Sequence, residues 1–152
     1  MDIRTERRKI GRGILGGPYA HLGLRSKAKD LVKATERSAE AKAEVLYSLP
    51  GIFAMELREG QYVVRLIKEG DTLRIMDPSE RSDILLTVEF SDIAAERGSL
   101  VGKVSMPRLL AEGRITYRGR GKYFTCFQRI AYIADKTLLS RKKFQEMYGT
   151  EI

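Results

Sequence analysis

The spacing of apolar residues divides the chain into a helical start, a strand-rich middle and a helical end. Residues 26–48 contain no glycine or proline, and their apolar positions recur at about 3.6 residues, which predicts one amphipathic helix that begins at Ser26 and ends before Pro50. The period then changes to two. Four alternating runs separated by short turns predict an antiparallel meander of strands over 52–58, 62–67, 72–76 and 84–90.

The pattern over the last third of the chain predicts mainly helices. They cover about 91–97, 105–113, 122–134 and 138–148, with a fifth strand over 114–118. Strands and helices occur in runs instead of strict alternation, which is typical of α+β proteins. We therefore predict a five-stranded, mainly antiparallel sheet with the helices on one face.

The first 25 residues differ in composition from the rest of the chain. They combine a basic cluster with many glycines: Arg4, Arg7, Arg8, Lys9 and Arg12, then Gly11, Gly13, Gly16 and Gly17. Ordering glycine-rich backbone costs more conformational entropy than ordering other residues. We therefore predict a mobile, basic, glycine-rich arm over 1–25 and a single domain over 26–152, which lies within the usual size of one domain.

Composition narrows the class of protein. Hydrophobic residues make up 43% and charged residues 32% of the 152 residues, an ordinary soluble composition. No apolar run approaches the roughly 20 residues that span a bilayer, and no N-terminal stretch has the pattern of a secretory signal. A single cysteine, Cys126, and a single histidine, His21, exclude an intrachain disulfide and a Cys/His metal cluster. These features predict a cytoplasmic protein without a metal or other cofactor.

The positive charge of the chain is local. Residues 101–143 hold eleven lysines and arginines and two acidic residues, a net charge of +9, whereas the whole chain carries +8. Such a field attracts anions, so the candidates are nucleic acid, an acidic membrane surface, a phosphate or carboxylate ligand and an acidic protein. A solvated face that only keeps the protein soluble explains the charge equally well.

Two glycine-containing strings fail as nucleotide-binding motifs. One has three residues before Gly102-Lys103, one fewer than a phosphate-binding loop needs, and Val104 follows where that loop has serine or threonine. In the other, Arg120 and Lys122 occupy positions at which an RNA-recognition motif needs stacking aromatic rings. Structural turns explain both strings better, which weakens the case for nucleic acid.

No set of residues in the sequence points to catalysis. Cys126 lies in an apolar helical segment, where a small buried hydrophobic side chain is the ordinary interpretation. His21 has no evident partner as a general base, and Asp77, Asp83 and Asp92 stand at turn or cap positions. We therefore assign no catalytic residue and predict that the protein is not an enzyme.

The distribution of apolar residues leaves two explanations open. Stretches such as Ile52–Met55 and Ile84–Leu86 are apolar on both strand faces, and the later helices add many more apolar residues. A closed core is the first explanation. The second is a cavity between sheet and helices, in which flexible Met55, Met76 and Met106 would suit an adaptable apolar ligand.

Four strings of the sequence resemble the sterol carrier protein 2 (SCP2) sterol-transfer family over about residues 26–135. They are Leu49–Leu57, Tyr62–Leu66, Ser82–Asp92 and Leu109–Gly119, of which Ser82–Asp92 is the most similar to the family's strand-to-helix segment. Each string is short, so their order and separation carry the resemblance.

The resemblance implies a five-stranded sheet covered by helices, with an apolar tunnel that binds lipids such as sterols, fatty acids or fatty acyl-CoA. It implies a carrier that makes and breaks no bonds, or an accessory factor that presents an isoprenoid or acyl substrate to enzymes. The chain departs from the family at two places. Arg120 stands where an acidic or polar residue is frequent, and the helix after Gly121 is bulky enough to fill part of a tunnel.

We therefore predict a non-catalytic lipid-binding or lipid-transport protein with one SCP2-like domain. The predicted tunnel residues are Phe53, Met55, Leu86, Val88, Leu100, Val104, Leu110, Tyr123, Phe124 and Phe127. The predicted head-group residues, which would meet a carboxylate, a phosphate or an acidic bilayer, are Arg114, Arg118, Arg120 and Lys122. The expected partners are a lipid or acyl-chain ligand, an acidic membrane surface and a second copy in a homodimer. The alternatives are a basic nucleic-acid-binding module and a protein-interaction subunit whose tunnel is filled.

Overall fold

The computed structural model describes the backbone of residues 16–91 and 105–149, and the side chains of those ranges from residue 23 onward. Ten elements follow one another along the chain. They are α1 (Gly16–Arg37), α2 (Ala39–Ser48), β1 (Ala54–Glu59), β2 (Tyr62–Glu69), β3 (Thr72–Ile75), β4 (Leu86–Phe90), α3 (Met106–Ala111), β5 (Ile115–Gly119), α4 (Gly121–Leu138) and α5 (Arg141–Tyr148).

The five strands form one sheet in the order β3-β2-β1-β4-β5. Three neighbouring pairs are antiparallel, whereas β1 and β4 pair in parallel with Met55 opposite Leu86. The α+β class and the five-stranded, mainly antiparallel sheet are therefore confirmed. The predicted meander of four strands is wrong, because β4 lies beside β1 and not beside β3. The long connection over 76–85, which contains Pro78, is no hairpin turn, and it lets the chain cross to the far side of β1.

The core lies between one face of the sheet and the helices α1 and α4. Met55 of β1 points to that face, with Leu66 of β2 and Leu86 of β4 opposite it. All three are buried in one apolar cluster with Leu31 of α1 and Phe127 of α4. The short helix α2 packs against α1 and α4 at the end of the sheet where β1 begins. Helices α1 and α4 thus share one face of the sheet, as expected.

The single helix predicted over 26–48 is two helices, so that prediction is wrong at its start and in its middle. α1 begins at Gly16, inside the predicted arm, and the side chain of Leu24 is fully buried. Burial of this kind offsets the backbone entropy that glycine-rich chain loses on ordering. The break falls at Ser38, whose Oγ accepts a hydrogen bond from the amide of Ala41 and caps α2.

Parts of the predicted architecture lie outside the described residues. These parts are residues 1–15 of the arm and nearly all of the helix predicted over 91–97. The structure corrects only the start of α1. The division into an arm over 1–25 and a domain over 26–152 otherwise stays a prediction. The elements after residue 105 agree with their predicted places to within a few residues, and serine side chains cap both α3 and α5.

A buried polar network joins three helices. Lys27 of α1 donates a hydrogen bond from Nζ to Oδ1 of Asp135 on α4 over 2.8 Å, and the hydroxyl of Tyr148 on α5 donates to Oδ2 of the same carboxylate. Burial, and after it the neighbouring carboxylate of Asp135, raise the pKa of Tyr148 well above its ordinary value of 10. Tyr148 therefore stays protonated as a donor, and the network fixes α5 against α1 and α4.

Candidate functional site

The helix α4 places a row of aromatic side chains over the sheet. Its buried positions recur at helical spacing and include Tyr123, Phe124, Phe127 and Ile130. The ring of Tyr123 meets Phe53 edge to face, with 5.3 Å between the ring centroids. These contacts close the layer between α4 and the start of β1.

A second aromatic contact joins α4 to the edge strand β5. Tyr117 of β5 stacks on Phe124, with 4.1 Å between ring centroids and 7° between ring planes, and Phe124 is 6.0 Å from Phe127. Tyr117 is itself partly exposed, so the row of rings runs from the protein surface into the core.

A cavity of about 10 Å³ lies within this layer. Nine residues line it: Leu31, Leu49, Phe53, Met55, Leu73, Tyr123, Cys126, Phe127 and Ile130. A volume of about 10–15 Å³ is what one water molecule needs. This cavity is therefore too small to be an open tunnel. Two of the bulky rings that follow Gly121, those of Tyr123 and Phe127, belong to its wall.

The structure brings together most of the predicted tunnel residues that it describes. Phe53, Met55, Tyr123 and Phe127 line the cavity, whereas the other buried ones lie in the surrounding core: Leu86, Val88 and Phe124. Leu100 and Val104 lie outside the described residues. The role of each residue in binding stays a prediction.

Leu110 is placed differently from its prediction as a tunnel residue. Leu110 is 38% exposed and lies on the outer side of α3. The helix turns Met106 and Leu109, three residues apart, towards the core instead. The helix α3 was predicted correctly, but Leu110 was predicted to face the core where the neighbouring Leu109 does so.

Five of the cavity residues were not among the predicted tunnel residues: Leu31, Leu49, Leu73, Cys126 and Ile130. The signal was present for the last two, because Cys126 and Ile130 follow Tyr123 at intervals of three and seven, on the same face of a helix. For Leu31 and Leu73 the sequence shows that they are buried but not that α1 and β3 meet across this cavity.

The single cysteine is poorly suited to nucleophilic chemistry. The Cys126 thiol donates a weak hydrogen bond from Sγ to the carbonyl oxygen of Glu44 over 3.6 Å. Burial, followed by the charge of Glu44, raises the pKa of Cys126 to about 12. The thiolate is the reactive form of cysteine, so this side chain is mainly an apolar part of the cavity wall near neutral pH.

The predicted head-group residues gather where β5 ends and α4 begins. Arg118, Arg120 and Lys122 are exposed there, and the guanidinium of Arg120 lies 5.7 Å from the ring centroid of Tyr123. Arg114, at the opposite end of β5, forms an ion pair with Glu112 over 3.3 Å. Arg120 and Lys122 therefore lie beside the outer end of the aromatic row. Arg118 pairs with Thr87, which is opposite Glu56, so its side chain points to the other face of the sheet.

The face of β1 opposite the cavity holds a buried carboxylate. Glu56 is buried, and it accepts hydrogen bonds from Arg58 and, over 3.0 Å, from Nε of Arg65. Burial alone would raise the pKa of Glu56, but the hydrogen bonds from Arg65 and Arg58 together outweigh it and hold the pKa below 4.5. Ionised Glu56 thus stabilises the fold fully above that pH, and this contribution is lost as the pH falls through the lowered pKa.

Replacing Glu56 with glutamine should therefore change how stability depends on acid. We expect the variant to be less stable near neutral pH by about 1.5–3 kcal/mol, because hydrogen bonds to a charged group are lost. The difference should shrink below about pH 4.5, where the wild-type carboxylate becomes protonated. Urea unfolding from about pH 7 to about pH 3 measures both quantities. If the free energies of unfolding of the two proteins changed with pH in the same way, ionised Glu56 would not be the group that stabilises the fold.

Within residues 16–91 and 105–149, no three of the His, Cys, Asp or Glu side chains that the structure describes lie close enough together to hold a metal ion. In the same ranges, no helix combines the length and the apolar character needed to cross a bilayer.

The strand order, the single parallel pair and the helices on one face define an SCP2-like fold, the fold that the sequence resemblance implied. The structure is similar to one described as UbiJ-SCP2 ubiquinone synthesis protein, with a TM-score of 0.53 and 16% identity over 76% of this chain and 93% of that chain.

Two further solved structures are similar, with lower TM-scores. Sterol carrier protein 2 from Yarrowia lipolytica, in its apo form, gives a TM-score of 0.41 and 16% identity over 70% of this chain and 87% of that chain. The sterol carrier protein domain 2 of Helicoverpa armigera gives 0.44 and 18% identity over 78% and 92%. No protein-family model matches the sequence, and no curated protein matches it. At these identities the likeness shows the fold alone.

Proposed function

We propose that this protein binds the hydrocarbon part of a lipid between the sheet and α4 and carries it without catalysing a reaction. The lipid is a sterol, a fatty acid, an acyl-CoA or an isoprenoid. The observation that carries the proposal is the almost entirely apolar cavity wall under the aromatic row of α4. The SCP2-like fold supports it, because that fold is typically a non-enzymatic lipid carrier domain.

Binding at this site requires the layer to open. A cavity of about 10 Å³ holds no acyl chain, so the rings of Tyr123 and Phe127 must move when the ligand enters. Met55 lines the same cavity, and its unbranched side chain adapts easily to a new shape. Each buried methylene contributes about 0.8 kcal/mol, so a chain of about ten methylenes supplies roughly 8 kcal/mol towards this rearrangement and towards the affinity.

The exposed cations beside the aromatic row suit a polar head group. Arg120 and Lys122 lie where the hydrocarbon chain would leave the protein, and a carboxylate or phosphate there would gain charge-assisted hydrogen bonds. Arg118 points to the other face of the sheet, so we expect it to contribute less. Arg114 already pairs with Glu112, so we expect it to contribute less. The cytoplasmic location and the homodimer stay predictions.

Filling the cavity should weaken lipid uptake. We expect Cys126→Leu, which adds volume to the cavity wall, to lower the affinity for a fluorescent fatty acid at least tenfold, or about 1.4 kcal/mol. Cys126→Ala is the matched control, since it removes the thiol and adds no volume, and it should bind as the wild type does. Titration of delipidated protein measures the affinity, and native mass spectrometry of freshly purified protein detects lipid that copurifies.

Two results would contradict the proposal. The first is wild-type protein that neither copurifies with lipid nor takes up the fatty acid. The second is equal affinity in the leucine and alanine variants, provided that thermal melting shows both to be folded. Overpacking of a core costs about 1–3 kcal/mol, so Cys126→Leu should lower the melting temperature without unfolding the protein.

The small size of the cavity favours a second candidate, a protein-interaction subunit with a filled interior. It predicts a stable assembly in size-exclusion chromatography with light scattering, and no lipid uptake. A basic nucleic-acid-binding module is the third class, and its affinity would fall steeply with salt, whereas uptake of a neutral lipid would not.

A further inference from the structure

Two of the most exposed large apolar side chains lie close together in the chain. The residue Ile52 is 82% exposed and Tyr47 is 79% exposed, whereas Leu49 between them is buried and lines the cavity. A single exposed apolar residue is normal, but a group beside a candidate binding site indicates an interaction surface.

Contacts around these residues connect them to the start of α4. Phe53, which follows Ile52, meets the ring of Tyr123, and the guanidinium of Arg120 lies 5.7 Å from that ring centroid. The amide of Leu85 donates to the carbonyl of Ala54 over 2.9 Å, so the partly exposed Leu85 lies at the same end of the sheet. We call this end the docking surface, and its residues are Tyr47, Ile52, Leu85, Arg120 and Lys122.

The docking surface is basic as well as apolar. Arg120 and Lys122 are exposed, and neither forms an ion pair with another described residue. Most of the acidic groups near this end are paired: Glu44 with Arg129, Asp71 with Lys42 and Glu69 with Arg74. Asp83 is exposed two residues before Leu85 and offsets part of the charge. The surface keeps a positive balance around its apolar residues.

We propose that the docking surface binds the anionic surface of a lipid bilayer, a proposal that rests on the lipid-binding function above. A bilayer supplies partners for both kinds of side chain: hydrocarbon for Ile52 and Leu85, and anionic head groups for Arg120 and Lys122. The ring of Tyr47 suits the boundary between them, where amphipathic aromatic side chains are enriched. Because this surface adjoins the cavity wall at Leu49 and Tyr123, a lipid would pass between membrane and protein without crossing water.

Vesicle binding by the full chain tests the proposal. We expect the wild type to sediment with phosphatidylcholine vesicles that contain phosphatidylserine, weakly with phosphatidylcholine alone, and less as salt rises. Ile52→Glu should lower the partition coefficient at least tenfold, because it removes an inserted side chain and adds a repelled charge. Lys122→Glu, which exchanges one cation for an anion, should lower it more than the roughly fivefold expected for losing one positive charge.

Leu110→Glu is the matched control. Leu110 is also a partly exposed leucine, but α3 leads into the opposite end of β5, so its variant should bind vesicles as the wild type does. An equal loss of vesicle binding in Leu110→Glu and Ile52→Glu would overturn the proposal. Wild-type protein that does not bind anionic vesicles would overturn it as well. A dimer that dissociates on Ile52→Glu, without vesicle binding, would overturn it in favour of a protein partner.

Uptake of fatty acid from solution separates this proposal from the proposed function. Ile52→Glu should keep the wild-type affinity for the dissolved fluorescent fatty acid, because the side chain does not line the cavity. Uptake without vesicle binding would overturn the docking surface and leave the lipid-binding function standing. Vesicle binding without uptake would support the surface and contradict the function.

Discussion

Asp135→Asn will lower the free energy of unfolding by about 3–5 kcal/mol, because it leaves the ammonium group of Lys27 buried without its counter-charge. The side chains of Lys27 and Asp135 are only 2% and 4% exposed, so water cannot replace the lost partner. The same carboxylate accepts the hydroxyl of Tyr148, so the substitution also weakens the contact that fixes α5. For a chain of this length the melting temperature should fall by about 2–4 °C per kcal/mol.

Urea unfolding of three variants tests this network. Tyr148→Phe removes one hydrogen bond to a charged group and should cost less, about 1.5–3 kcal/mol. The double variant Lys27→Met with Asp135→Leu replaces the ion pair with apolar side chains. It should be more stable than Asp135→Asn, although it still lacks the acceptor for the hydroxyl of Tyr148. A double variant no more stable than Asp135→Asn would show that packing at these positions, and not the unpaired charge, determines the loss.

Gly119→Ala will destabilise the edge of the sheet by about 3 kcal/mol or more. Gly119 has a φ of 130°, which side-chain-bearing residues rarely adopt. A Cβ atom there would also overlap the carbonyl oxygen of Leu85 and lie 3.2 Å from Cα of Leu86. These are backbone atoms, so the clash can be relieved only if β5 moves away from β4. The variant should therefore lose protection of amide hydrogens in β5 before the rest of the sheet.

Gly121→Ala is the control for this prediction. Its Cβ would lie 3.5 Å from the hydroxyl oxygen of Tyr117, an ordinary contact, at the first residue of α4. Alanine favours a helix over glycine, so this variant should equal the wild type or exceed its stability by about 0.5–1 kcal/mol. Thermal melting compares the two variants, and similar melting temperatures would show that the close approach of β5 to β4 is not needed.

The sequence was sufficient for those features of the fold that depend on neighbouring residues. Alternation over 54–59 and helical spacing over 121–138 are local, so they predicted strands and helices and hence the α+β class. The parallel pairing of Met55 with Leu86 was missed, because short turns suggested that each strand would follow its predecessor. The break at Ser38 was missed as well, since a serine cap interrupts a stretch whose apolar spacing continues past it.

The candidate site was predictable in part for the same reason. Tyr123 and Phe127 belong to one helix face, and their bulk correctly indicated that they fill space beside the sheet. The meeting of Leu31 with Leu73 at one cavity depends on how α1 crosses β3, which no local pattern encodes. The exposure of Ile52 was also hidden, because an apolar residue next to a strand is ordinarily assigned to the core.

The parallel pairing of β1 with β4 also determines the order in which the sheet can assemble. Strands β1, β2 and β3 join through tight turns, whereas β4 reaches β1 only by closing the whole intervening stretch, which costs entropy before any ladder bond forms. During synthesis on the ribosome the early hairpins are therefore present while one side of β1 still lacks its neighbour. Until β4 arrives, that side of β1 exposes unpaired backbone groups that can mispair with another nascent chain.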